Sequence, residues 1–114
     1  LGDGCLISTP AGSSAYNLSL RGPVIPVGAK VLALTPISPY RPRRWRGALL
    51  NNDVKITLNA LDSELRPVRA EADFMQFQNI NKLEIELEKK LYVNLLFDPG
   101  HDLEERIINE QFNN

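Results

Sequence analysis

Val54-Lys55-Ile56-Thr57-Leu58-Asn59-Ala60 alternates apolar and polar side chains residue by residue, the period of a strand with one wet face. The same period recurs three times downstream. Val68, Ala70, Ala72 and Phe74 alternate with Arg69, Glu71 and Asp73; Leu83, Ile85 and Leu87 alternate with Glu84, Glu86 and Glu88; Leu91, Val93, Leu95 and Phe97 form a further row. Short strands joined by Asn-, Asp- and Gly-bearing turns predict antiparallel sheets packed as a sandwich. Nothing between them has the helical period of a crossover connection, which argues against a parallel doubly wound sheet. The predicted fold class is all-β: an antiparallel β-sandwich with a short helix after the first strand and a C-terminal helix.

Upstream, proline sets the pattern, because six of the eight prolines fall between Pro10 and Pro42. Each fixes φ and removes a backbone donor, so this third of the chain is read as turns, short strands and one short helix. Gly4 to Thr9 reads as a buried strand stopped by Pro10. Gly12-Ser13-Ser14-Ala15-Tyr16 supplies the small hydroxyl residues of a helix start, Ala15 to Leu20 continue the turn, and Gly22-Pro23 end it. Val31 to Leu34 reads as a second strand, closed by Thr35-Pro36. Past Asp98-Pro99-Gly100, Asp102 and Glu105 have capping-box spacing, and Leu103 with Ile107 and Ile108 with Phe112 share a helix face. The expected division is therefore a domain over 1–97 and a helix over 98–114. That helix buries its stripe on this domain, on another part of a longer chain, or on a partner. The opening Leu1-Gly2-Asp3-Gly4, which lacks a methionine and runs almost at once into a strand, fits a piece of a longer polypeptide.

With 114 residues the chain has material for one core. Thirteen basic and 14 acidic side chains give a net charge of −1, which excludes bulk electrostatic binding to nucleic acid or anionic lipid. The lone Cys5 excludes an internal disulfide and a Cys-based zinc site, and sits in an apolar run where it reads as a small buried hydrophobe. No apolar run approaches the roughly 20 residues that span a bilayer, and no signal-peptide pattern is present, so the expected compartment is the cytoplasm.

Gly2 to Gly22 is the stretch richest in chemistry. Small side chains let a ligand approach the backbone, free N–H groups at a helix start attract electron-rich groups, and Ser13, Ser14 and Ser19 add hydroxyls. Tyr16 offers a flat ring and an O–H at its edge. The plainer alternative is a loop whose hydroxyls only cap the helix. No lysine follows a second glycine as in a P-loop, and the G-x-S-x-G spacing of a nucleophile elbow is absent.

Asp3-Gly4, Ile7-Ser8-Thr9-Pro10-Ala11-Gly12-Ser13-Ser14-Ala15-Tyr16-Asn17-Leu18-Ser19 and Gly22-Pro23 together resemble the D-G-x-x-x-S-T-P-x-G-S-T-A-Y block of the NAD kinases. The resemblance continues through Leu34-Thr35-Pro36-Ile37-Ser38-Pro39 and into Asp98-Pro99-Gly100-His101-Asp102-Leu103-Glu104-Glu105-Arg106. It implies a carboxy-terminal, NAD-binding β-sandwich domain of an enzyme that phosphorylates the 2′-hydroxyl of the adenosine ribose of NAD, with ATP and a divalent metal such as magnesium. By the same resemblance Asp3, Ala11, Ser14, Ala15, Tyr16, Asn17, Leu18 and Ser19 fall on dinucleotide-contacting positions, and Ser38 on an adenine-side contact. Ser14 stands where the family has threonine and keeps the hydroxyl; Asp73-Phe74 departs from the family's pattern and carries no ligand role. The family's G-G-D-G motif, which holds its catalytic base, and its N-E pair belong to an amino-terminal domain and do not occur here. No catalytic residue and no metal ligand is therefore assigned to this chain. The missing N-terminal kinase domain and a homo-oligomeric partner are implied alongside NAD and ATP, with the metal bound mainly outside these residues.

The arginines Arg41, Arg43, Arg44 and Arg46 around Trp45 have two readings. They either contact phosphate, of ATP or of nucleic acid with Trp45 stacking on a base, or they line a surface loop paired with acidic neighbours or another subunit. A nucleic-acid-binding sandwich using the 41–46 loop is the alternative function. His101 has no second histidine or cysteine cluster beside it in sequence, and reads as a capping or interface residue. The Glu84, Glu86, Glu88 row reads as the wet face of a strand.

Overall fold

The structure, a computed structural model, describes residues 2–40 and 45–91. These fall into two compact units, one reaching as far as Asn52 and the other spanning Asp53–Lys89. The first contains β1 (Gly4–Ser8), α1 (Tyr16–Ser19), β2 (Val31–Ile37) and β3 (Ala48–Asn51). The second contains β4 (Ile56–Asn59), β5 (Ala70–Ala72), β6 (Met75–Phe77) and β7 (Lys82–Ile85).

In the first unit β2 is the central strand of an antiparallel sheet of order β1-β2-β3. Leu32 and Ala33 on β2 are buried, together with Ile25 of the preceding loop. β2 runs three residues past the end predicted for it, through Thr35 and Pro36 to Ile37. Proline is tolerated there because β3 pairs only with Val31 to Leu34, so Pro36 has a strand neighbour, Cys5, on one side alone. β3 was not predicted; its half-buried Ala48 and Leu50 alternate with exposed Leu49 and Asn51. Cys5 is exposed and not buried as expected, since it pairs with Pro36 where the sheet has narrowed to two strands. Its thiol is still desolvated enough for its pKa to be pushed up.

In the second unit β4 pairs antiparallel with β7, placing Ile56 opposite Ile85 and Leu58 opposite Leu83. Ile56 is buried and Leu58, Leu83 and Ile85 are half-buried, so the predicted alternation holds on both strands. The wet face carries Glu84, with Lys55 Nζ at 2.8 Å and Lys82 Nζ at 3.1 Å. These ammonium groups, Lys55 first, hold its carboxyl below the usual range. Such a depressed carboxylate contributes stability above its unfolded value and loses it as pH falls, weakly here because the pair is exposed.

The row predicted as one strand over Val68 to Phe74 is instead a hairpin. Ala72 pairs with Met75, which leaves Asp73 and Phe74 as a two-residue turn, and Asp73 takes a φ of 53°. Aspartate tolerates that left-handed conformation, and the reversal leaves Phe74 102% exposed at the tip. The described residues are thus all-β and antiparallel, with one helical turn after the first strand. The Val93–Phe97 row, His101 and the helix over 98–114 lie outside the described residues.

Candidate functional site

β1 ends at Ser8, and the chain then winds through consecutive tight turns. Gly12 N donates to Thr9 O at 3.1 Å, Ser13 N to Pro10 O at 3.2 Å, Ala15 N to Gly12 O at 3.1 Å and Leu18 N to Ala15 O at 3.0 Å. The amides of Gly12, Ser13 and Ala15 are therefore committed to the loop itself and are not free for a ligand. Helix α1 follows as a single turn with Ala15 at its N-cap and no side-chain cap, so the serines do not cap it. Its exit has Schellman geometry: Gly22 N donates to Asn17 O and Arg21 N to Leu18 O, both at 2.9 Å, and Arg21 has a φ of 63°.

Between β1 and this loop lies a cleft of about 340 Å³ lined by Leu6, Ile7, Ser8, Thr9, Gly12, Ala15, Tyr16 and Asn17. Leu6, Ile7 and Ala15 make most of its surface apolar, Thr9 and Tyr16 bring exposed polar side chains, and Ser8 and Asn17 are part of the wall with their polar atoms buried. Tyr16 is 56% exposed, leaving its ring available from the cleft side. The Ser8 hydroxyl in the cleft wall is buried and has no hydrogen-bond partner among the described residues. Leaving such a group unpaired costs about 1 kcal/mol or more. Ser8→Ala is therefore expected to stabilise the fold by about 1 kcal/mol in urea unfolding, and a loss of that size would place a partner on the hydroxyl.

Beneath the cleft three polar side chains are buried together: Ser13, Asn17 and Thr35, at most 1% exposed. Asn17 Nδ2 donates to Ser13 O at 3.1 Å and Pro23 O at 2.9 Å, and Asn17 Oδ1 accepts from Thr35 Oγ1. Ser13 Oγ donates to Pro10 O at 2.7 Å and accepts from Ile25 N at 2.8 Å. Gly22 makes room for this cluster, since a Cβ there would lie 2.3 Å from Asn17 Oδ1.

Of the residues singled out in the sequence, the structure brings Ala15, Tyr16 and Asn17 to the cleft. Ala11, Ser14, Leu18 and Ser19 belong to the same loop and helical turn without lining it, and Ala11, Leu18 and Ser19 are exposed. Asp3 and Ser38 meet at the other end of β1, where Asp3 N donates to Ile37 O at 2.9 Å and Ser38 turns with a φ of 47°. Both are exposed. Sequence reasoning missed Ser8, Thr9 and Thr35 as site residues, although all three stand inside the quoted motifs. Trp45 and Arg46 are exposed; Arg41, Arg43 and Arg44 lie outside the described residues. Among the described residues no group of three or more His, Cys, Asp or Glu side chains is placed to hold a metal ion, and no helix is long and apolar enough to cross a membrane.

Fold and cleft together define an all-β antiparallel domain with a mostly apolar cleft, edged by Thr9 and Tyr16, between its first strand and a single helical turn. The family model described as the ATP-NAD kinase C-terminal domain matches residues 1–70, and the chain belongs to that family. It is 52% identical over 110 residues to an NAD kinase of Hyphomonas neptunium, a match covering 96% of this chain and 43% of the relative. It is 54% identical to an NAD kinase of Cereibacter sphaeroides over 96% of this chain and 43% of that relative. An NAD kinase of Xylella fastidiosa is 53% identical over 97% of this chain and 43% of its own length. The chain thus spans less than half the length of these relatives.

Proposed function

We propose that this chain supplies the dinucleotide-holding part of an NAD kinase. In that reaction the 2′-hydroxyl oxygen of the adenosine ribose of NAD attacks the terminal phosphorus of ATP. The bond to ADP breaks, the hydroxyl proton passes to a base, and NADP and ADP leave. The observation that supports the reading most directly is that one segment, Ser8 to Asn17, both carries the family's signature and forms the cleft wall.

This chain's share is binding and orientation. Tyr16 covers or stacks on a ring of the ligand, and small Ala11 and Ala15 let the ligand approach the main chain. The Ser14 and Ser19 hydroxyls donate or accept at its polar edges, and the Asp3 carboxylate accepts from an amide or amine of the ligand, with Ser38 beside Asp3 on the adenine side. Leu18 adds apolar contact. Asn17, whose amide already has protein partners on both Nδ2 and Oδ1, contributes as part of the wall. The described residues do not fit a metal site, so the divalent metal that accompanies ATP is assigned to residues elsewhere, and no step is derived through it. No base for the ribose hydroxyl is assigned here. Residues 1–97 form the binding domain in this reading, 98–114 dock against the rest of the polypeptide or a partner, and the enzyme works in the cytoplasm as a homo-oligomer.

Titration of the purified chain with NAD tests the reading. Saturable binding is expected, with little dependence on salt, whereas a steep salt dependence with oligonucleotides would favour the arginine-loop alternative. Tyr16→Ala should weaken NAD binding about 5- to 150-fold, the range of roughly 1–3 kcal/mol for a lost stacking surface. The chain alone, given ATP and magnesium, should form no NADP; clear turnover would place a catalytic base within it.

A further inference from the structure

Helix α1 cannot hold itself in place. It is four residues long, has no side-chain cap, and carries no acidic residue in its first turn or basic residue in its last. Isolated helices shorter than about 12 residues are marginal in water, so a single turn takes its orientation from tertiary anchors. Asn17 is the one buried residue of α1, and Tyr16, which precedes it, reaches the cleft. Whatever fixes Asn17 therefore fixes Tyr16.

Both hydrogens of Asn17 Nδ2 are used, on Ser13 O and Pro23 O, which directs Oδ1 to the Thr35 hydroxyl. The inverted amide would set an oxygen against two carbonyl oxygens, so the amide has one workable orientation. Thr35 is 1% exposed on the central strand, opposite Leu6 in the β1–β2 register, and does not line the cleft. Resting on the dinucleotide reading above, we infer that Thr35 is a positioning residue for that ligand. Its hydroxyl, acting through Asn17, couples the rigid sheet to α1 and sets the direction in which Tyr16 meets the ligand. The specificity of the pocket thus rests partly on a side chain that never touches its occupant.

The experiment compares Thr35→Val, which keeps shape and removes the donor, with Thr35→Ser, which keeps the donor. Tyrosines in the 114-residue chain are fluorine-labelled, and the Tyr16 resonance is assigned by its loss in Tyr16→Phe. Thr35→Val is expected to shift or broaden the ligand-free Tyr16 signal while leaving Tyr40 and the strand circular dichroism unchanged. It should also weaken NAD binding about tenfold, the order of one lost hydrogen bond. Thr35→Ser should restore both. An unmoved Tyr16 signal in Thr35→Val, or an equal displacement in Thr35→Ser, overturns the inference. If Thr35→Val does not fold, Thr35→Cys carries the test with a weakened donor, and a wild-type Tyr16 signal together with wild-type NAD affinity overturns it equally. A wild-type chain that does not bind NAD overturns the dinucleotide reading instead, and with it the ligand that Thr35 is assigned to serve.

Discussion

Gly47→Ala is expected to cost roughly 2–6 kcal/mol, enough to unfold much of the first unit. Two effects add. Gly47 has a φ of +107°, where a residue with a Cβ is strained by about 1–3 kcal/mol. The new Cβ would lie 2.1 Å from Leu34 O and 3.2 Å from Pro36 Cδ, and forcing atoms into an occupied site costs about another 1–3 kcal/mol. The obstacle is the backbone of the central strand and not the tip of a flexible side chain, so neither partner can yield cheaply. The next residue, Ala48, pairs with Leu34, so relieving the clash pulls β3 from the sheet at its first rung. Urea unfolding followed by circular dichroism measures the loss. Gly28→Ala is the control, because a Cβ there meets nothing within 4 Å and should change stability by less than about 0.5 kcal/mol. Equal behaviour of the two variants would show that Gly47 does not hold β3 against β2.

The contrast between these glycines also shows what the sequence conceals. Strands whose side chains alternate were legible, because a half-buried face demands alternation in the chain itself: Ile56 and Leu58 against Thr57 and Asn59, and Leu83 and Ile85 against Lys82 and Glu84. Phe74 misled, since the alternation through Ala70 and Ala72 continues past the point where Asp73 turns the chain back. Periodicity reports which faces are equivalent and is silent about a reversal that keeps the period. β3 was missed for a related reason: four residues beside an arginine-rich loop give too short a pattern to stand out. In the site, the motif located the segment but not each residue's work. Ser13 and Asn17 look like surface chemistry in the sequence, a hydroxyl and an amide in a glycine-rich loop. Both are buried, with distant partners: Asn17 Oδ1 meets the hydroxyl of Thr35, 18 residues on, and Ser13 Oγ meets the amide of Ile25, 12 residues on. Such long-range partnership leaves no local trace.

Asn17→Asp is the second large effect expected, and the one whose sign depends on pH. The substitution keeps the shape of the side chain and exchanges an amide with two donors for a carboxylate with none. At neutral pH a carboxylate oxygen would then face Ser13 O and Pro23 O, two acceptors that Asn17 Nδ2 now satisfies at 3.1 and 2.9 Å. Only the Thr35 hydroxyl could still donate to it. A charge buried without compensation costs about 3–5 kcal/mol, against a total of about 5–15 kcal/mol for a typical domain. Burial and the two facing carbonyls both disfavour the charged form, so the aspartic acid would titrate in the fold above its unfolded value near 3.9. The folded state then binds more protons than the unfolded state between those two values, and stability falls as pH rises through that window. Below it the protonated acid donates to one carbonyl, and part of the loss is recovered. The expected result is a variant much weaker than wild type at pH 8 and less so at pH 5, with the gap between the two chains narrowing steadily on acidification. A gap independent of pH would mean that the carboxylate reaches water or turns away from the two carbonyls. Asn17 would then not be the buried fastening of α1 on which the orientation of Tyr16 depends.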